Sequence, residues 1–175
     1  MRRWPFKPTK ALLALGLILS ACESDPDSIP HETLPLADYI LVEKSKRTLS
    51  LFNNDQLIKT YRVAIGKSPV GHKEKEGDHR TPEGVYSISK KNPKSKYHRA
   101  LKISYPNRTD KEKAEKKGHH PGGDIMIHGM EPSYWWVTPK HKLRDITRGC
   151  IVVTNKEIEE IFEATPLNTR VEIKP

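Results

Sequence analysis

Short alternations of apolar and polar residues, and few long amphipathic runs, organise this chain from residue 39 onward. Tyr39–Glu43 alternates in this way and is predicted as a strand, with Thr48–Phe52 as its hairpin partner. Asn53-Asn54-Asp55 supplies turn residues, and Leu57–Ile65 reads as a third strand. Gly66–Arg80 is dense in Gly, Pro, His and charge and is predicted as a long loop. Further strands are predicted over Gly84–Ser89, Ala100–Ser104, Asp124–His128, Cys150–Val153 and Arg170–Ile173. Between Pro106 and Gly123 the pattern is polar, with a short helix predicted over Lys111–Lys116 before Gly118. One clear amphipathic helix follows Asn155, its predicted N-cap, with Ile158, Ile161 and Phe162 on the apolar face. Many short strands beside one clear helix predict a mostly β, single-domain fold with a small α component.

The amino terminus follows a different pattern. Met1–Lys10 carries Arg2, Arg3, Lys7 and Lys10 without an acid, and Ala11–Leu19 is an unbroken run of Ala, Leu, Ile and Gly. A basic segment followed by a short apolar one is the mark of an export signal. The run is shorter than the ~20 residues of a settled transmembrane helix. It ends in Leu19-Ser20-Ala21-Cys22, which resembles the lipobox of bacterial lipoproteins. That resemblance implies cleavage before Cys22, lipidation of its sulfur and amine, and firm anchoring by several acyl chains. The expected organisation is a signal over 1–21, a lipidated, proline-bearing tether over 22–37, and a single folded domain over 38–174. An ordinary secretory signal with an incidental cysteine is the plainer alternative. Glu23, in place of the aspartate associated with inner-membrane retention, leans the expected location to the outer membrane, on the periplasmic side of the envelope.

Charge and cysteine count then narrow the chemistry. Removing residues 1–21 with their four basic side chains lowers the formal charge from +9 to +5 and leaves 154 residues, enough for one domain with a core. On an exported protein this excess points to an anionic wall polymer or lipid head groups and away from nucleic acid. Lys90-Lys91, Lys94, Lys96 and the run from Lys111 to Lys117 read as solvated loops. With Cys22 lipidated, Cys150 has no internal disulfide partner, and by itself it reads equally as a nucleophile or as an inert buried thiol. The chain holds eight histidines, but no His-x-x-x-His lies on a helix and no Cys-x-x-Cys occurs, so no metal site is expected.

Strand alternation favours chemistry at Cys150. In Asp124–His128, Ile125 and Ile127 share one face and belong in the core, which turns His128, Met126 and Asp124 toward a cleft. Gly129 after the histidine admits a close neighbour, either backbone or substrate. Gly149, behind Cys150, suits backbone N–H groups presented to an oxyanion. A histidine in reach can hold the thiol as a thiolate–imidazolium pair and return the proton to a leaving amine. This requires the strand ending at His128 and the strand starting at Cys150 to be neighbours.

These residues, in order, resemble the L,D-transpeptidase (YkuD-type) catalytic domain of bacterial cell-wall enzymes. The matching segments are Arg80–Tyr86, Ser104–Asn107, Gly122–Met126, Ile127-His128-Gly129, Thr147–Cys150 and Val153–Ile161. The resemblance implies a β-sandwich or barrel without metal or organic cofactor, acting on peptidoglycan stem peptides. Cys150 is then the nucleophile, attacking the L-centre carbonyl of diaminopimelate, with His128 as base and the Gly149 and Cys150 N–H groups on the oxyanion. Thr147, Arg148, Gly129 and Asp124 are candidates for substrate binding. Tyr86 and Tyr105 are candidates to line the cleft, and Trp135 and Trp136 to form its lid or wall. Two departures stand out: Val152 occupies the position where many members carry arginine, and Thr147-Arg148 replaces serine and histidine. Arg148 is a candidate to take over carboxylate recognition. Hydrolysis of the same thioester, a lipoprotein acceptor or substrate, and an inactive wall-binding lipoprotein are the alternatives left open.

Overall fold

The computed structural model describes residues 33–131 and 145–175. Cys22, Trp135 and Trp136 lie outside the described residues. Eight strands run in the order β3-β2-β1-β8-β4-β5-β6-β7 across one curled sheet. Its first half joins β1 (Tyr39–Glu43), β2 (Thr48–Asn53) and β3 (Gln56–Arg62) in an antiparallel meander, with β8 (Arg170–Lys174) parallel to β1. Pairing of Ile40 with Val171 and of Val42 with Ile173 puts four β-branched residues on the core face, all nearly inaccessible.

Strand β4 (Gly84–Ser95) carries the sheet from one half to the other. Gly84–Ser87 pairs with β8, and from Ile88 onward it pairs with β5 (His98–Ile103). Its outer part is polar and was predicted as loop; pairing with β5 keeps it extended. Lys91 is therefore not merely a solvated loop residue: its Nζ donates to the carbonyls of Phe162 and Thr165 at 2.6 and 2.8 Å. Those carbonyls end helix α2 (Asn155–Ala164), where a cation suits the exposed acceptors. Strand β6 (Met126–His128) follows β5 antiparallel, and β7 (Ile151–Val152) closes the sheet parallel to β6. Helix α2 packs on β5 and β6 through Ile158, Ile161 and Phe162. Its N-cap is Thr154 and not Asn155: the Thr154 hydroxyl accepts the Glu157 N–H, while Asn155 Oδ1 is occupied by the Met130 N–H at 2.6 Å. Helix α1 (Arg108–Lys116) starts earlier than predicted, because Asn107 and Asp110 cap each other's backbone N–H. Residues 66–80 form the long loop expected.

Candidate active site

The parallel register of β6 and β7 sets Ile127 beside Ile151 and His128 beside Val152. Side chains alternate along each strand, so Cys150 and Val152 emerge on the face that carries Met126 and His128. Ile127 and Ile151 point the other way and are fully buried. The neighbouring strands required by the chemistry are thus present, and His128 and Cys150 line one cleft of about 540 Å³.

His128 is 6 % exposed. Its Nδ1 lies 2.6 Å from the Gly129 carbonyl. A carbonyl only accepts, so Nδ1 carries the proton and Nε2 keeps its lone pair. Tyr97, in the turn between β4 and β5, stacks on the imidazole at 4.3 Å between centroids and 27° between planes. Burial pulls the His128 pKa below its ordinary value, and nearby Lys96 adds to this against the pull of the Gly129 carbonyl.

Cys150 ends a tight turn held by polar contacts. The Thr147 hydroxyl donates to the Cys150 carbonyl at 2.8 Å and accepts the Gly149 N–H at 3.0 Å. Gly149 has φ +131°, and a Cβ there would sit 2.6 Å from the Arg80 carbonyl oxygen and 2.9 Å from Ile125 Cδ1. The turn is tied to the long loop through Lys67 N–H to Thr147 O and Thr147 N–H to Ile65 O. The thiol points to the Asp124 carbonyl at 3.6 Å. Burial pushes the Cys150 thiol up, partly offset by the Met126 N–H and the Lys73 charge. Burial therefore favours a neutral thiol and a neutral imidazole in the resting cleft, in place of the ion pair expected from residue types alone.

Several expectations need correction. The Gly149 N–H, assigned to an oxyanion, is donated to Thr147 Oγ1, and Thr147 acts on the turn itself. Gly129 borders the cleft, but the atoms that exclude a side chain there are Asn155 Oδ1, Ile158 Cγ2 and the Tyr97 carbonyl, not substrate space. Asp124 turns its carboxylate outward to Lys102 at 2.6 Å and offers only its carbonyl to the sulfur. Tyr86 and Tyr105 are buried in the core and do not line the cleft. Their rings meet edge to face at 5.9 Å, and their hydroxyls donate to the Glu83 and Pro121 carbonyls. Arg148 does line the cleft, as does Val152, whose backbone exchanges two hydrogen bonds with Ala64. Tyr97, Met130 and Ile146 also wall the cleft and were not singled out from the sequence, and Lys96, read there as a solvated loop residue, lines it too. Among the described residues no cluster of His, Cys, Asp and Glu could hold a metal ion.

Residues 37–173 match the YkuD family model, described as the L,D-transpeptidase catalytic domain. YafK of Escherichia coli, which carries the L,D-transpeptidase name, is 29 % identical over 156 residues, covering 85 % of this chain and 56 % of that protein. This chain therefore spans little more than half of that relative's length. The helical cell shape determining protein Pgp2 of Campylobacter jejuni superposes with a TM-score of 0.61 at 25 % identity, over 82 % of this chain and 51 % of that one. An L,D-transpeptidase of Xylanimonas cellulosilytica shares the fold with a TM-score of 0.51 at 14 % identity, over 82 % and 62 % of the two chains. The chain belongs to the YkuD family of L,D-transpeptidase catalytic domains.

Proposed function

We propose that this member of the YkuD family is a cysteine acyltransferase of the bacterial cell wall, exported and anchored through a lipid on Cys22. The observation that carries the reading is the shared cleft of Cys150 and His128, with Nδ1 committed to Gly129 and Nε2 left to move a proton. As Cys150 Sγ bonds to the L-centre carbonyl carbon of diaminopimelate in a tetrapeptide stem, His128 Nε2 takes the thiol proton. The carbon–nitrogen bond then breaks, and the proton passes from Nε2 to the departing amine of D-alanine. What remains is a thioester on Cys150. An acceptor amine from a second stem peptide attacks it, gives its proton to Nε2 and releases the thiol, leaving an amide cross-link. Water in the same role would release a tripeptide.

Burial suits the first step, because the reacting pair starts uncharged and exchanges a proton only as substrate bonds form. The Cys150 N–H is the proposed oxyanion donor, since the Gly149 N–H is already donated to Thr147 Oγ1. Mass spectrometry of tetrapeptide muropeptides incubated with the purified protein tests the reading. The expected products are an acyl adduct on Cys150 and a cross-linked dimer, both absent with Cys150→Ser. Tripeptide in place of dimer would assign the hydrolytic branch. Unchanged substrate without an adduct would leave a wall-binding protein and defeat the proposal.

A further inference from the structure

Arg47 lies in the turn between β1 and β2, far along the chain from both reacting residues, yet it grips the segment that enters the Cys150 turn. Its backbone has φ +55°, a left-handed conformation that glycine adopts freely and arginine does not. A side chain is thus kept where the backbone alone favours none. That side chain is fully engaged. Nε donates to Oδ2 and Oδ1 of Asp145 at 2.9 and 3.1 Å, and Nη2 donates to Oδ2 at 2.6 Å. Nη1 donates to the Lys44 carbonyl in its own turn, which fixes the plane of the guanidinium. The two side chains are 28 and 20 % exposed, so the pair escapes much of the screening that weakens surface ion pairs.

Asp145 passes this constraint on. Its Oδ1 also accepts the Ile65 N–H at 3.2 Å, and two residues later the Thr147 N–H is donated to the Ile65 carbonyl at 3.3 Å. Residues 145 and 147 therefore clasp both backbone groups of Ile65, and the Thr147 hydroxyl holds Gly149 and Cys150 in turn. Arg47 fixes the other side of the clasp as well. Its carbonyl accepts the Val63 N–H at 3.0 Å, and the next residue, Ala64, exchanges two hydrogen bonds with Val152. One residue thus holds both edges of the seam that carries the nucleophile, Val63 through its backbone and Asp145 through its guanidinium.

We propose that Arg47 is a positioning residue for the reaction, acting through Asp145 to hold the Cys150 turn in register with His128. This role rests on the reading of Cys150 as the nucleophile in acyl transfer. Arg47 is not among the residues that wall the cleft, so its loss should slow the chemistry of bound peptide and leave peptide binding alone. Charge by itself does not supply the function. A lysine can reach the carboxylate as a point charge, but it lacks the planar fork that sets the angle of Asp145.

Acyl-adduct formation on Cys150 of the full chain with tetrapeptide stems, followed by mass spectrometry, tests this. Arg47→Gln and Asp145→Asn should each lower kcat about ten- to hundredfold with KM unchanged, as for a reacting atom displaced by up to about 1 Å. The double variant should lose no more than either single one, because both remove the same pair. Arg47→Lys should recover part of the rate. Arg47→Gly removes the guanidinium but relieves the strain at φ +55°, so it should lose kcat equally while its melting temperature stays close to wild type. An unchanged kcat in Arg47→Gly, losses that multiply in the double variant, or a rise in KM instead would overturn the proposal. Alkylation of Cys150 by iodoacetamide needs no peptide and separates the two readings. Released from its clamp, the turn should open the shielded thiol to water, and alkylation should quicken several-fold in Arg47→Gly. Faster alkylation of that variant without any adduct on the wild type keeps the clamp and removes acyl transfer. Adducts formed at equal kcat by both proteins, with equal alkylation, do the reverse. Neither an adduct nor a change in alkylation removes both.

Discussion

His128 arrives in the cleft at the end of a regular strand, whereas Cys150 arrives at the end of a turn that side-chain and backbone contacts hold in place. The strand takes its geometry from pairing on both sides, with Ala100 of β5 and Val152 of β7 opposite His128. The turn depends on one hydroxyl, one glycine and the loop beneath it. The base thus shares the stability of the core, while the nucleophile depends on a few replaceable contacts. Activity should therefore fail on the Cys150 side before the fold fails.

The largest expected effect comes from Gly149→Ala. Its methyl would meet a backbone carbonyl at 2.6 Å in a conformation alanine rarely adopts, so the turn must shift. Displacement of a reacting atom by about 1 Å costs on the order of a hundredfold. Adduct formation on Cys150 should fall at least that far while the circular dichroism spectrum is kept; retained activity would break the comparison. The converse case is Lys44, only 1 % exposed, whose three N–H groups reach the Gly71 and Thr81 carbonyls and Glu83. Lys44→Ala should lower stability by roughly 3 kcal/mol in urea unfolding, since it strands Glu83 against the loop. Thr147→Val removes the hydroxyl between Gly149 and Cys150 and should cost about 1–3 kcal/mol, with a larger proportional loss in kcat than in stability.

The smallest effects concern proton placement. Protonation of His128 removes the base, and burial makes that protonation harder. The acid limb of kcat/KM should therefore lie below the ordinary histidine value of 6.5, and the thiol's alkaline limb above its ordinary range. By the same sign, the unfolded chain binds this proton first, so His128 lowers stability as pH falls below 6.5. Tyr97→Ala should admit water to the imidazole and move the acid limb back up toward that value. An unmoved limb would mean that the stack does not shield His128.

Where side chains alternate with a buried face, the chain announced its structure. Ile125 and Ile127 located β6 and turned His128 to the cleft, and the helix face of Ile158, Ile161 and Phe162 was equally plain. The outer half of β4 lacks an apolar alternation, because its extended state is imposed by β5 and by the reach of Lys91 to the end of α2. Thr154 and Asn155 are both good cap formers, and only the Met130 N–H decides between them. Tyr97 was invisible for a related reason: it meets His128 only because β5 pairs with β6. Tyr86 and Tyr105 misled in the other direction, since backbone carbonyls inside the fold satisfy their hydroxyls.

The raised pKa of Cys150 also governs which electrophiles it will meet productively. A thiol that stays protonated at neutral pH reacts slowly with small diffusing reagents such as iodoacetamide, since only the thiolate attacks them. A reagent that occupies the cleft and offers its carbonyl where a peptide bond would lie recruits Nε2 of His128 to remove the proton. Covalent inhibitors of this site should therefore gain their selectivity from shape and from the presence of a leaving group, with little help from intrinsic warhead reactivity.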